Sequence, residues 1–301
     1  LVRSRGLGDV YKRHGLGLAA LLFTSLLTAC SQDDTAAVAN VQQEENKTVT
    51  VKELTERLRT YNASVYGMTR ASQDPWVEQP ELGTDNKMKI VVADVKGGIR
   101  GFRRGGWLGG LIGAAVGSLA KAITDWLFDS SVVVATEPRV FQGGTRADFS
   151  DSIGFYHNRV EARMYNMNNR SDLMTSIQLL DRADSIMLNT SIGYKAAPRL
   201  TAMQKAGICA DLDVLRSIDT SDMTFDDYCD KLIELNPEDE DYINFVAEYL
   251  YIVNYANVDI DEYTEEVMFM INNANADVED ASLLFACMQV AYASTLVAND
   301  N

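Results

Sequence analysis

Glycine recurs at every fourth position through the first half of this chain: Gly97, Gly101, Gly105, Gly109, Gly113 and Gly117. A second small-residue stripe of Gly106, Gly110, Ala114, Ser118 and Ala122 runs beside it. A helix here carries nine glycines and forfeits about 9 kcal/mol against alanine, at roughly 1 kcal/mol each. Something must offset that deficit. Glycine at every fourth residue lets two backbones approach closely, with gains in dispersion and weak Cα–H···O contacts. Successive rungs lie about 40° apart around the helix, so the stripe rotates by about 200° over five steps. One straight partner cannot reach all six. Either two neighbours share the ladder, or the segment breaks into a helical hairpin.

A membrane setting for the ladder has some support. Trp107 and Trp126 bracket a mostly apolar stretch of about 28 Å, and Arg100, Arg103 and Arg104 suit lipid headgroups. Lys121 and Asp125 interrupt it, and only residues 108–120 are free of charge, well short of the roughly 20 a lone span needs. A buried, close-packed element is the preferred reading. A membrane-associated oligomer built on the ladder, pore- or toxin-like, is the alternative.

The N-terminus supplies an address. Arg3, Arg5, Lys12 and Arg13 precede an apolar stretch at 16–27, which closes on Leu27-Thr28-Ala29-Cys30. A basic segment, a short apolar segment and small residues before a cysteine read as a signal peptide with a lipobox. Cys30 is then the lipidated first residue of the mature chain, and the expected location is the outer membrane, with the cell surface as the exposed face. Ser31-Gln32-Asp33-Asp34 after the cysteine resembles the export signal of surface lipoproteins in Bacteroidota, and Asp34-Thr35-Ala36 resembles their O-glycosylation site.

Charge is distributed unevenly. The whole chain carries −16. Residues 211–301 hold 22 Asp or Glu against Arg216 and Lys231, a net −20, which leaves about +4 for the rest. Phosphate is repelled by such a field, so a nucleic-acid partner is not expected. Apolar content of 47% argues for packed cores over disorder.

Periodicity predicts a mainly α fold: a helical bundle or stacked helical hairpins, preceded by the glycine-rich close-packed helical segment. Helices are expected at 51–66, 153–167, 172–188 (capped by Ser171), a stretch capped by Thr224 and ending before Pro237, 238–257, 262–273 and 279–297. Residues 72–87 read as a loop, and 88–95 as either a strand or a helix start. The expected organisation is a signal peptide at 1–29, a lipid-anchored flexible tether at 30–48, a helix plus glycine-ladder region at 49–150, and an acidic helical domain at 151–301.

Chemistry is sparse. His157 is the one histidine after Cys30, with Glu161 a helical turn away and Asn158 adjacent, which makes a candidate polar site. No Gly-x-Ser-x-Gly, Walker loop or dinucleotide fingerprint is present, so no catalytic residue and no cofactor are assigned. Cys209, Cys229 and Cys287 lack zinc spacing; their odd number allows one bridge plus a free thiol, three buried unpaired cysteines are the simplest reading, and no metal ligands are assigned. Asn257-Val258-Asp259-Ile260-Asp261 begins like a calcium loop but has Glu262 where glycine and Met268 where glutamate are required.

Cys30, the run Ala93-Asp94-Val95-Lys96-Gly97-Gly98 leading into the ladder, and Gly154-Phe155-Tyr156-His157-Asn158 together resemble a group of Bacteroidota lipoproteins that contain a glycine zipper. The resemblance covers roughly residues 27–160. It implies location and architecture, not an activity. The expected protein is a non-enzymatic, lipid-anchored envelope protein that presents an acidic helical domain. Its expected partners are the membrane, through the lipid, and an envelope protein or a second copy. A hydrolase centred on His157 is the third reading.

Overall fold

A computed structural model describes residues 48–70, 82–121, 138–141, 152–165, 174–189 and 199–299. Nine α-helices and no strand occur among them, so the chain is mainly α. They are α1 (Val51–Tyr66), α2 (Leu82–Lys121), α3 (Ile153–Tyr165), α4 (Ser176–Asn189), α5 (Ala202–Ser217), α6 (Phe225–Leu235), α7 (Glu240–Tyr255), α8 (Ile260–Asn272) and α9 (Val278–Asn299). Residues 1–47, which include Cys30 and the expected signal peptide and most of the expected tether, lie outside the described residues.

α2 is folded back on itself. Helical geometry fails at Gly105 (φ −138°, ψ 21°) and Gly106 (φ 60°, ψ −156°), the second being a left-handed conformation that side chains disfavour. Two arms then run antiparallel, and the ladder pairs with itself. Gly97 faces Gly113, Gly101 faces Gly109, and Ala93 faces Gly117, all symmetric about residue 105. A Cβ on Gly97, Gly101, Gly109 or Gly113 would overlap the backbone carbonyl opposite. One on Gly117 would sit 2.6 Å from the Ala93 oxygen. Each arm uses three rungs, across which the stripe rotates by about 80°, not the 200° of a straight helix.

The remaining helices are built around this hairpin. α3, α4, α5, α6, α7 and α9 all pack against α2, while α1 packs on α7. α9 is buried on every side from Leu283 to Thr295, as a central helix must be when apolar residues surround its axis. Helix starts follow local chemistry. Thr50 with Glu53, Thr201 with Gln204 and Thr224 with Asp227 each form a capping box. Thr175 and Gln178 exchange the same pair of bonds at the start of α4. The expected start of that helix at 172 therefore moves to Ser176, and Ser171 lies outside the described residues. α5 was not expected from periodicity. Residues 82–87 are helical and extend α2, against the expected loop.

Residues 49–301 form one unit, so the boundary expected at 150 does not divide the described structure. Charge explains why. Arg100 pairs with Glu238 (2.6 Å), Arg103 with Asp239 (2.8 Å) and Arg104 with Asp211 (3.1 Å). The arginines assigned to lipid headgroups thus hold the acidic segment to the hairpin. Beneath them Lys96 donates to Asp239 at 2.5 Å, with both side chains almost fully buried.

Three variants check this packing. Gly101→Ala should destabilise by about 1–3 kcal/mol through backbone overlap, despite alanine's better helix propensity. Gly98→Ala, whose Cβ would meet Ala114 Cβ at 3.4 Å, should be neutral or stabilising by up to about 1 kcal/mol. Lys96→Met should cost about 1.5–3 kcal/mol in urea denaturation, since the buried Asp239 carboxylate loses its Lys96 bond and keeps Arg103 as its close partner.

Candidate functional site

Three helices that meet in the core each contribute polar side chains to one buried cluster. α2 supplies Asp94, α3 supplies His157, Asn158 and Glu161, and α9 supplies Ser294. Glycine sets the spacing. A Cβ on Gly154 would overlap the Gln289 carbonyl and lie 3.1 Å from Ala293 Cβ, so α3 reaches α9 only because residue 154 has no side chain. One turn later, His157 and Asn158 face the same stretch of α9. At the other end, the outer rung of the ladder brings Gly117 against the backbone of Asp94.

The bonds within the cluster are directional. Asn158 Nδ2 donates to the Ala293 carbonyl at 2.9 Å, which fixes the amide and turns its oxygen toward the imidazole. Asn158 Oδ1 then accepts from His157 Nδ1 at 2.8 Å, so Nδ1 carries a proton. Ser294 Oγ donates to Asp94 Oδ2 at 2.8 Å. His157 Nε2 points between two carboxylates, 3.5 Å from Asp94 Oδ2 and 3.7 Å from Glu161 Oε1. Both distances exceed the roughly 2.7–2.9 Å of a charge-assisted hydrogen bond. Among the described residues Nε2 makes no hydrogen bond, and the ring is 0% exposed.

Burial alone would lower the pKa of this ring. The charges of Glu161 and Asp94, with the Asn158 hydrogen bond, outweigh it and raise the value to about 9. The cluster can therefore hold one extra proton at neutral pH. Its side chains are almost fully buried, which suits a structural or ion-holding role better than attack on a substrate.

Of the residues singled out in the sequence, His157, Asn158 and Glu161 come together here. Asp94 and Ser294 were missed as members of the site. The signal for Asp94 was an acidic residue inside the apolar run 90–95; for Ser294 there was none. The ladder glycines lie at the hairpin contact, with Gly105 at its bend. Cys209, Cys229 and Cys287 are free thiols; Cys229 and Cys287 are buried as expected, Cys209 is only half-buried, and burial pushes Cys229 up to about 12. Asp259, from the calcium-like run, caps α8 by accepting from the Asp261 and Glu262 amides. No protein-family model matches the chain, and neither a curated protein nor a solved structure matches it.

The raised histidine carries a pH prediction. Its folded pKa of about 9 lies above the roughly 6.5 of an unfolded chain. With chelator present, its contribution to stability is therefore complete below pH 6.5 and lost as pH rises through about 9. Burial also lowers the pKa of Lys96, so the comparison is with His157→Gln. The variant's denaturation midpoint should fall less steeply than wild type across that window.

Proposed function

We propose that the chain is a lipid-anchored, non-enzymatic protein of the outer membrane that presents an acidic helical surface to a basic partner. The observation that carries this reading is where the acidic residues lie. Asp222, Asp230, Glu234, Glu262 and Glu265 are exposed on or beside α6 and α8, while Asp239 and Glu248 are the buried acids of that part. Only Arg216 and Lys231 are basic between 211 and 301. Such a field steers association with positive surfaces and repels nucleic acid. The lipobox at Cys30 supports the anchor, and Val49, paired with Asn275 and Ala276, fixes where the body begins.

The other readings have less behind them. The ladder glycines face one another inside the hairpin, so a ladder-driven pore would need that contact opened. No helix among the described residues is long and apolar enough to cross a membrane. His157 as a hydrolytic base would need a path for substrate to a ring that is fully buried.

Two experiments test the proposal. In intact cells, wild type should be shaved by protease and retained through a carbonate wash, whereas Cys30→Ala should wash off; retention of the variant would overturn the anchor. A partner cross-linked in cells should be lost when Asp222, Asp230, Glu234 and Glu265 are all changed to Lys. Asp222 and Asp230 should each alter stability by no more than about 0.5 kcal/mol, while Glu234 and Glu265 also lose exposed ion pairs with Lys231 and Arg139 worth up to about 1 kcal/mol each. Undiminished cross-linking would remove the acidic surface as the docking face.

A further inference from the structure

We propose that Asp94, His157 and Glu161 are the protein ligands of a buried divalent transition-metal ion, of the zinc or manganese type, clasped between α2, α3 and α9. The three side chains offer one imidazole nitrogen and two carboxylate oxygens, all within 4.8 Å of one another. Their relative exposures are 1%, 0% and 3%. Ligand atoms at about 2.0–2.2 Å from a tetrahedral ion stand about 3.3–3.6 Å apart. The two distances from His157 Nε2, 3.5 and 3.7 Å, are close to those edges and too long for hydrogen bonds. The third edge, between the two carboxylate oxygens, is within 4.8 Å, so an ion among the three atoms would have all of them around it.

Orientation of the ligands points the same way. Because Asn158 Oδ1 accepts from Nδ1, the neutral ring presents its Nε2 lone pair to the two carboxylates. Metal-binding histidines commonly donate their second nitrogen to a carbonyl or carboxylate, which fixes the ring, and Asn158 does that here. Ser294 holds Asp94 Oδ2 in the same manner. Mixed imidazole and carboxylate donors suit zinc, manganese or ferrous iron, whereas calcium favours oxygen alone. Three protein ligands leave a fourth position for water or another donor.

Such an ion would tie α2 to α3 through ligands 63 residues apart, with α9 holding Asp94 through Ser294, so its binding free energy would appear as folding stability. This inference is independent of the lipid anchor and the acidic surface. Its test uses the full-length chain in detergent, stripped with chelator and desalted, then titrated with zinc chloride or manganese chloride alone. Calorimetry and elemental analysis should give one ion per chain for at least one metal, and thermal unfolding of stripped wild type should shift upward on its addition. Asn158→Ala should weaken binding by about 10–100-fold, and His157→Gln or Glu161→Gln by more. Cobalt in the same site should show ligand-field absorption that His157→Gln abolishes. Should a variant fail to fold, the wild-type stoichiometry and thermal shift decide. Well under one ion per chain for both metals, or a full ion retained by folded His157→Gln, overturns the proposal and leaves a proton as the occupant.

Discussion

Contact between glycine backbones across the α2 hairpin is the constraint on which the rest of this molecule depends. Side chains at 97, 101, 109 and 113 would force the arms apart, and the six helices that pack on α2 would lose their common seat. The same device reaches the polar cluster from two directions. Gly117 rests on the backbone of residues 93 and 94, and Gly154 rests on Gln289. Asp94 and His157 are thus placed by backbone contacts that hold them more firmly than flexible side chains would. The loss of helix propensity across nine glycines is offset by burial and close packing on both arms.

Electrostatics completes the arrangement. The excess of acid after residue 211 looks like the signature of a separate domain, yet part of it is used internally. Arg100, Arg103 and Arg104, all on the first arm near the bend, are answered by Asp211, Glu238 and Asp239. The Lys96–Asp239 pair lies deeper, where removing either charge is far more costly than at the surface. The described residues from Val49 onward therefore belong to one folded body, with Glu248 also buried and Asp222, Asp230, Glu234, Glu262 and Glu265 facing outward.

Much of the helical content was legible in the sequence because periodicity and caps act locally. Val51–Tyr66 and the start of α6 after Thr224 follow from apolar spacing and a capping residue. α5 shows what local reading loses: its Thr201–Gln204 capping box was present, but its weak amphipathic pattern concealed it. The rotation of the glycine stripe allowed a hairpin without selecting it, because a turn at Gly105 and Gly106 is favoured only once both arms have partners. His157, Asn158 and Glu161 share one helix, so their grouping was visible. Asp94 and Ser294 join them across 63 or more residues of chain, a separation that no spacing rule reaches. For the same reason, motif spacing gave no sign of metal ligands.

The hairpin itself is tested most directly by a cross-link. The Cβ of a residue at 98 would lie 3.4 Å from Ala114 Cβ, near the roughly 3.5–4.5 Å of a disulfide. A Gly98→Cys, Ala114→Cys variant, oxidised mildly and digested with trypsin at the intervening arginines, should yield the two peptides joined within a single chain. A disulfide that links two chains, or free thiols at both positions in folded protein, would contradict the hairpin and return the glycine ladder to a role between molecules.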